Sequence, residues 1–314
     1  MSDQVFVTAF APASIGNVGV GFDMLGLAIA GTGDRVSARR AEPGEVRILE
    51  VRDAEGATHP FLSSRADENT ASIAAASLWT AAGEQGGLEL IVQKGIPLQS
   101  GMGSSAASAV AAVVAVNALL DEPLAPEALL IHALAGEKFA SGGLHADNVA
   151  PSLFGGMILC PNVLLPSIVK IGVPEGVSSV LLHPDLQVNT AESRKGLARG
   201  YAMDQWLTQQ GYFGAFIAAC EQNNIELLGR CLRDELIEPQ RAASVPCFTE
   251  VKQAALKADA LGCSLSGSGP SIFSLCRDAN AANVAMAMEQ ACRKLGIECQ
   301  SWISPLNAPG ASVE

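Results

Sequence analysis

A glycine-rich turn that runs into a long, almost uncharged segment is the feature that most constrains how this chain can fold. Residues 97–107 read Pro-Leu-Gln-Ser-Gly-Met-Gly-Ser-Ser-Ala-Ala, and alanine and valine dominate from there to Leu120. Glycines let backbone N–H groups crowd around an anion, and the positive dipole end of a helix favours negative charge. The segment predicts a phosphate site at the start of a helix that begins near Ser104. The simpler alternative is a helix that merely begins with glycine and serine.

Composition limits the classes of protein to which such a turn can belong. The chain has 314 residues, of which 49% are hydrophobic and 17% are charged. This length suggests about two domains, and the balance argues against disorder. The formal net charge is −12 and the chain has no basic run, so neither a nucleic-acid surface nor an anionic-membrane surface is expected. An anionic ligand must be held locally, by backbone amides, a metal or a few arginines.

The cysteines and the apolar stretches bear on the compartment. Eight cysteines lie scattered through the second half of the chain without a CxxC pair, so they do not predict a zinc site. In a chain of this size without a recognisable signal peptide, they predict reduced, mostly buried thiols. The longest apolar candidate, residues 106–120, is interrupted by Ser108 and Asn117, so no membrane-spanning segment is expected. We expect a soluble cytoplasmic protein.

The order of patterned segments predicts an α+β protein with two domains. A change of composition near Cys160 places the boundary between an N-terminal domain, 1–162, and a C-terminal domain, 163–314, whose strands and helices suggest a two-layer sandwich. Residues 35–40 and 45–52 have the pattern of a strand meander, and residues 11–23 that of a glycine-laced turn. Further strands are predicted over 4–10, 88–93, 167–171, 178–183, 263–266, 271–276 and 297–303. Helices are predicted from the Asn69 cap to 82 and over 104–120, 126–140, 214–223, 225–233, 249–261 and 281–295.

Several common motifs are absent from the sequence. It contains no GxxxxGK[ST], HExxH, GxSxG or HRD, which excludes the ordinary P-loop, zincin, esterase and protein-kinase signatures. Residues 101–106 fit GxGxxA, and Asp121 and Glu122 lie about twenty residues further on, as in a dinucleotide-binding fold. No strand presents these acids, because Asp121 ends the helical pattern and Pro123 follows. A dinucleotide fold is therefore not favoured.

Three separate glycine-rich segments give the most specific signal. They are residues 12–23, residues 97–107 and residues 264–271, the last reading Ser-Leu-Ser-Gly-Ser-Gly-Pro-Ser. This ordered trio resembles the GHMP kinase family, whose second motif commonly reads Pro-x-x-x-Gly-Leu-Gly-Ser-Ser-Ala, and the resemblance covers nearly the whole chain. Here Met102 replaces the leucine, which preserves volume. The resemblance implies a GHMP kinase fold, with an N-terminal domain like ribosomal protein S5 domain 2 and a C-terminal ferredoxin-like sandwich. The last residues would return to the N-terminal domain.

The same resemblance implies that ATP is a co-substrate and Mg²⁺ a cofactor. Mg²⁺ would be held by Ser105 and Glu137, although Glu137 taken alone reads as a solvated residue on a helix face. The third segment, taken alone, reads equally well as a tight β-turn. The residues implied for ATP are Pro97, Leu98, Gln99, Ser100, Gly101, Met102, Gly103, Ser104, Ser105, Ala106 and Ala107, with Gly267, Ser268 and Gly269.

A histidine-containing segment resembles the homoserine-phosphorylating branch of that family. It reads His145-Ala-Asp-Asn148, and other members usually lack this histidine. Homoserine carries an ammonium, a carboxylate and a primary hydroxyl, so its site needs acceptors for the first and donors, preferably an arginine, for the second. Asp147 is either the base or the group that orients the hydroxyl, and both remain open. The implied substrate shell is Asn17, Asp23, His145, Asp147, Asn148, Arg194 and Arg241, and the implied catalytic residues are Asp147, Asn148, Glu137 and Ser105.

The resemblance therefore implies an ATP-dependent phosphotransferase that acts on the hydroxyl of L-homoserine in threonine biosynthesis. The resemblance also implies a homodimer that acts on small molecules. Neither a nucleic acid nor a membrane is expected as a partner. Two alternatives remain. A related kinase for mevalonate or a sugar would keep the glycine segments and change the substrate shell, and a non-catalytic nucleotide-binding protein would keep only the glycine segments.

Overall fold

Strands and helices follow one another irregularly along the chain, which confirms the predicted α+β class. The computed structural model describes residues 5–42, 44–141, 143 and 145–314. The first elements are β1 (Val7–Gly16), β2 (Leu25–Ala41), β3 (Val46–Arg52), α1 (Thr70–Ala81), β4 (Gly87–Gln93), α2 (Ser104–Asn117), α3 (Pro126–Ser141), α4 (Ala146–Phe154), β5 (Met157–Leu159) and β6 (Val169–Ile171). They are followed by β7 (Val177–Pro184), α5 (Thr190–Lys195), α6 (Met203–Glu221), α7 (Ile225–Cys231), α8 (Glu238–Arg241), α9 (Phe248–Lys257), β8 (Ala260–Leu265), β9 (Ile272–Arg277), α10 (Ala281–Lys294), β10 (Cys299–Pro305) and β11 (Ser312–Val313).

The first sheet is built around the long strand β2. Its strands run in the order β11-β1-β2-β4-β3, and β5 pairs with β2 and with β6. β2 has 17 residues, so its second half pairs with β4 while its first residues pair with β5. Close approach of α4 to this sheet depends on Gly26, since a Cβ there would lie 1.7 Å from the backbone oxygen of Asp147. The sheet thereby holds the start of α4 in a fixed place.

Helix α2 is the central helix of the first lobe, which consists of the first sheet and helices α1 to α4. The second sheet and helices α5 to α10 form the second lobe. Every residue from Ala106 to Val113 is buried, as expected for a helix that is apolar on all sides. Its small side chains share one core with α1, α3 and the first sheet. Because α2 is held on all sides, its N-terminus is presented at a fixed position.

The second sheet is a ferredoxin-like unit. Its strands are antiparallel in the order β10-β7-β9-β8, and the chain visits β7, α9, β8, β9, α10 and β10 in turn. Val180 and Ile272 pack with α9 and α10, whereas Leu181 and Phe273 on the opposite face join the core of the first lobe. Helices α5 to α8 are inserted between β7 and α9. This insertion carries the two arginines singled out in the sequence.

Most predicted elements lie where expected, and four predictions were wrong. β1 continues through residues 11–16 instead of ending in a turn, because these residues pair with β2. β4 separates β2 from β3, so the meander does not exist and β3 pairs in parallel with β4. The helix predicted over 249–261 ends at Lys257, where β8 pairing takes over, and α6 begins eleven residues earlier than residue 214, at Met203. Residue 4 of the first predicted strand lies outside the described residues.

The state of the cysteines agrees with the compositional expectation. All eight cysteines are free thiols, and each is buried except the half-buried Cys299. Within the described ranges, no helix combines the length and the apolar character needed to cross a membrane.

Candidate active site

The three glycine-rich segments meet at one place between the two sheets. The backbone N–H of Ser14 donates to the carbonyl of Met102 at 3.0 Å, which joins the first segment to the second. The backbone N–H of Gly267 donates to the carbonyl of Gly16 at 3.1 Å, which joins the third segment to the first. Segments that are far apart in sequence therefore form one surface.

A cleft of about 490 Å³ opens beside this junction, and most of the residues singled out in the sequence line it. From the predicted ATP set these are Leu98, Gln99, Ser100, Gly101, Gly103, Ser104, Ser105, Gly267 and Ser268. From the predicted substrate and catalytic sets they are Asn17, Asp23, Glu137, His145, Asp147, Asn148, Arg194 and Arg241. The described lining does not include Pro97, Met102, Ala106, Ala107 or Gly269, and the side chains of Met102, Ala106 and Ala107 are buried in the core.

The turn before α2 has the geometry of an anion-binding loop. Gly101 and Gly103 have φ angles of 74° and 70°, and Gly103 is the N-cap of α2 without a side-chain cap. The hydroxyl of Ser266 donates to the carbonyl of Gly101 at 2.6 Å and fixes the turn from the second lobe. A helix N-terminus without a side-chain cap leaves backbone N–H groups directed at the cleft, where they suit a phosphate.

Ser105 and Glu137 place a hydroxyl and a carboxylate side by side near that N-terminus. The hydroxyl of Ser105 donates to Oε2 of Glu137 at 2.7 Å, and Glu137 is buried. No group of three or more His, Cys, Asp or Glu suited to a metal occurs among the residues whose placement is described. Mg²⁺ usually takes one or two carboxylates from the protein and the remaining ligands from phosphate and water. The chemistry of this pair therefore fits Mg²⁺ bound together with a nucleotide.

A buried ion pair that the sequence analysis missed supports the same turn. Lys94 and Asp34 form a salt bridge with almost no exposure to solvent. Lys94 Nζ also donates to the carbonyl of Ser104 at 2.8 Å and to the hydroxyl of Ser108 at 2.7 Å. The pair thus ties the middle of β2 and the residue after β4 to the start of α2. Nothing in the local sequence marks it, because Asp34 and Lys94 lie just outside the predicted strands 35–40 and 88–93 and beside other polar residues.

Asp147 lies in the first turn of α4 and is buried at the base of the cleft. The backbone N–H of Asn17 donates to its Oδ2 at 3.2 Å. Burial, and secondarily the charge of Asp23, raise the pKa of Asp147 to about 7. A carboxyl group with such a pKa can accept or release a proton near neutral pH.

Asp23 and Arg194 form a bidentate ion pair across the cleft. Both guanidinium-to-carboxylate distances are 2.7 Å. His145, the N-cap of α4, lies beside the pair with its Nδ1 3.4 Å from Arg194 Nη2. Burial, followed by the charge of Arg194, lowers the pKa of His145, so the ring is neutral at pH 7.

Arg241 is a buried arginine whose hydrogen bonding is incomplete. Its Nη1 donates to the carbonyl of Gly267 at 2.8 Å, and within the described part of the chain its Nε has no hydrogen-bond partner. Burial, followed by the nearby charge of Arg194, lowers its pKa. A buried guanidinium N–H without a partner is costly, so the site is suited to an incoming anion.

Other cleft residues were not singled out from the sequence as site residues. Asn69 and Thr70 line the cleft at the start of α1, which the sequence predicted as a helix cap only. Thr190 lines it from α5, and its Oγ1 lies 3.1 Å from Oγ of Ser268. These residues lie at the starts of α1 and α5, where no glycine motif marks them in the sequence as residues that line a binding cleft.

Comparisons with known proteins agree with this geometry. Residues 69–156 match the GHMP kinases N terminal domain, and residues 216–294 match the GHMP kinases C terminal domain. Homoserine kinases from Xanthomonas campestris and Xylella fastidiosa are 43% and 44% identical over 304 residues, which cover 96% of this chain and 92% of each relative. A crystal structure of homoserine kinase from Cytophaga hutchinsonii superimposes with a TM-score of 0.93 at 38% identity, covering 100% of this chain and 99% of that one. The chain therefore belongs to the homoserine kinases of the GHMP kinase family.

Proposed function

We propose that this protein transfers the γ-phosphoryl group of ATP to the side-chain hydroxyl of L-homoserine. The observation that carries the proposal is the convergence of three groups in one cleft. The uncapped start of α2 suits phosphate, the arginine pair suits a carboxylate, and Asp147 has a pKa of about 7. A phosphoryl donor and an amino-acid acceptor need these three chemistries together.

The nucleotide side of the cleft would be formed by the turn from Gln99 to Ser105. Backbone N–H groups at the start of α2 would bind the phosphates, and the loop around Gly267 would close over them from the second lobe. Ser105 and Glu137 would hold Mg²⁺. When bound, the ion would neutralise negative charge on the phosphate oxygens.

The acceptor side has the charge balance that an amino acid requires. Arg194 and Arg241 contribute two positive charges, and Asp23 contributes one negative charge. Ionised Asp147 contributes a second negative charge, so these four side chains carry no net charge and match an amino acid whose carboxylate and ammonium cancel. The outer lone pairs of Asp23 would accept from the substrate ammonium, and neutral His145 would add a polar contact.

In the transfer step, the homoserine hydroxyl oxygen forms a bond to the γ-phosphorus while the bond from that phosphorus to the bridging oxygen breaks. ADP leaves, and the hydroxyl proton passes to the carboxylate of Asp147. Such transfer is largely loose, so the placement of both substrates and the neutralisation of charge contribute most. We assign Asp147 as the base because its raised pKa matches a proton acceptor near neutral pH.

The experiment that tests the proposal measures ADP release with purified protein, ATP and Mg²⁺ against L-homoserine, mevalonate and galactose. We expect turnover with L-homoserine and at least 10²-fold lower kcat/KM with the others, because neither carries an ammonium for Asp23. Efficient turnover of mevalonate or galactose, with none of homoserine, would refute the substrate assignment. Nucleotide binding without any turnover would instead support a non-catalytic role.

The resemblance also suggests the setting of the reaction. The product would be O-phospho-L-homoserine, an intermediate of threonine biosynthesis made in the cytoplasm. We propose that the protein works as a homodimer, as the homoserine-phosphorylating branch usually does. Sedimentation at a mass near twice 32.4 kDa would support this assembly, and a mass of 32.4 kDa at micromolar concentration would contradict it.

A further inference from the structure

Phe22 lies behind the arginine pair and contacts both guanidinium groups. The Cζ of Arg194 lies 5.4 Å from the centroid of the Phe22 ring, and the Cζ of Arg241 lies 5.2 Å from it. Both distances are within the range of cation–π attraction. Phe22 is half-buried, and the described lining of the cleft includes both arginines but not Phe22. One aromatic ring outside the cleft therefore makes cation–π contacts with both arginines.

The two guanidinium groups need such support because they repel each other. Asp23 neutralises Arg194 through its bidentate pair, whereas the charge of Arg194 acts against the neighbouring Arg241. Among the described residues, the Arg241 guanidinium donates to the carbonyl of Gly267 and lies over the ring of Phe22. The negative face of the ring offsets part of the repulsion and supplies surface against which a planar guanidinium can lie.

The backbone holds Phe22 in place independently of the arginines. The next residue, Asp23, has a φ angle of 57°, and its backbone N–H donates to Oδ1 of Asn17 at 3.0 Å. By contrast, Arg194 and Arg241 lie on α5 and α8, two short helices of the inserted segment. The turn that carries Phe22 belongs to the first lobe. The ring therefore provides a fixed surface for the side chains of Arg194 and Arg241, which come from the second lobe.

We propose that Phe22 is a positioning residue that holds Arg194 and Arg241 together so that both can face the substrate carboxylate. This inference rests on the proposed function and assigns a role to a residue that does not touch the substrate. Without the ring, Arg241 would move away from Arg194, and the carboxylate would lose one of its two cationic partners. The nucleotide, which binds at the start of α2, would be unaffected.

The experiment compares Phe22→Leu with Phe22→Tyr. We expect Phe22→Leu to raise the KM for L-homoserine about tenfold while the KM for ATP changes less than about twofold, since two cation–π contacts are lost. Phe22→Tyr keeps the aromatic face and should restore the KM. The matched control is Phe10→Leu, which removes another cation–π contact, with Arg35 at 5.0 Å, where neither partner lines the cleft.

A substrate analogue separates positioning from general damage to the fold. 3-Aminopropan-1-ol is L-homoserine without its carboxylate, so the ratio of the two KM values reports what the arginines contribute. This ratio should shrink about tenfold in Phe22→Leu and stay at the wild-type value in Phe22→Tyr and Phe10→Leu. An unchanged ratio in a folded Phe22→Leu protein would overturn the inference.

Two further measurements keep the outcome decisive. If Phe22→Leu does not fold, Phe22→Met provides a flexible apolar replacement of similar volume with the same expectation. Calorimetric Kd values for L-homoserine, measured with a non-hydrolysable ATP analogue bound, do not require turnover. Weak binding by wild type with no turnover would refute the proposed function, whereas tight binding by both wild type and Phe22→Leu would refute only the role of Phe22.

Discussion

At the scale of single residues, the chemistry of the cleft depends on how carboxylates are buried. Asp23 is paired with an arginine and Glu137 with a serine hydroxyl. Asp147 lies in the core-facing first turn of α4, where burial raises its pKa to about 7. In the proposed reaction, environment therefore gives three acidic residues three different tasks: binding of an ammonium, binding of a metal and acceptance of a proton.

Replacement of Asp147 by asparagine tests its assignment as the base. We expect Asp147→Asn to lower kcat by about 10²-fold or more while the KM values change little. A loss of only a few-fold would leave Asp147 as a group that orients the hydroxyl. The exposed Asp204 on α6 provides the control variant Asp204→Asn, which should keep wild-type kcat.

The same assignment predicts the pH dependence of the wild-type enzyme. A base must be ionised to accept a proton, so kcat/KM should fall as the pH drops below about 7, the pKa of Asp147. The slope of log kcat/KM against pH in this range should correspond to one proton, and Asp147→Asn should not show this decrease. A wild-type profile that stays flat down to pH 5.5 would contradict the assignment.

Replacement of Glu137 by glutamine removes a charge and preserves an acceptor for Ser105. We expect Glu137→Gln to lower kcat by at least about 10²-fold and to raise the Mg²⁺ concentration needed for half-maximal rate. Glu127→Gln, on the exposed first turn of the same helix, is the matched control. Equal Mg²⁺ curves for the two variants would exclude Glu137 as a ligand.

At the scale of elements, the start of α2 connects the two lobes. Gly101 sits against the third glycine segment so closely that a Cβ would lie 2.5 Å from the carbonyl oxygen of Ser266 and 2.7 Å from that of Gly269. Its positive φ angle adds a second reason for glycine at this position. A side chain at this position would therefore push the two loops apart.

Gly101→Ala tests this dependence with a control matched in backbone angle. Gly83 has a φ angle of 76° and nothing within 4 Å of an added Cβ, so Gly83→Ala introduces strain without a collision. We expect Gly83→Ala to destabilise the fold by about 1 kcal/mol and to leave the KM for ATP unchanged. Gly101→Ala should raise that KM at least about tenfold. Equal KM values for both variants would show that the contact between the loops does not shape the nucleotide site.

These elements also show how far sequence reasoning reaches. The glycine segments, the Asn69 cap and the pair of Ser105 and Glu137 are local patterns or parts of a family motif, and the structure brings them to one cleft. Phe22 and the Lys94–Asp34 pair could not be found in this way. Their roles depend on which strands and lobes become neighbours, and β4 between β2 and β3 is a long-range pairing that no local periodicity encodes.

At the scale of the whole molecule, the two lobes share one hydrophobic core. Leu181 and Phe273 of the second sheet are buried in the same cluster as Leu27 and Met102 of the first lobe. The backbone N–H of Ala30 also donates across the lobes to the hydroxyl of Ser304 at 2.9 Å. Such a shared interior couples the stability of the two sheets.

We therefore expect a single cooperative transition in calorimetric unfolding. A non-hydrolysable ATP analogue at about 100 times its Kd should stabilise the protein by about 2.7 kcal/mol and move that whole transition to higher temperature. The coincidence of near-UV and far-UV dichroism curves provides the check. Two transitions, of which the nucleotide moves only one, would show that the lobes unfold separately.

The pairing of β11 with β1 has a consequence for biosynthesis. Val313 lies opposite Ala9, and the backbone N–H of Glu314 donates to the carbonyl of Thr8 at 2.9 Å. Before β11 has been synthesised, the outer edge of β1 has no neighbour, and its unpaired N–H and C=O groups can pair with other polypeptides. β1 can gain this neighbour only after β11 has been translated, so chaperones that bind exposed strand edges should matter most before that point.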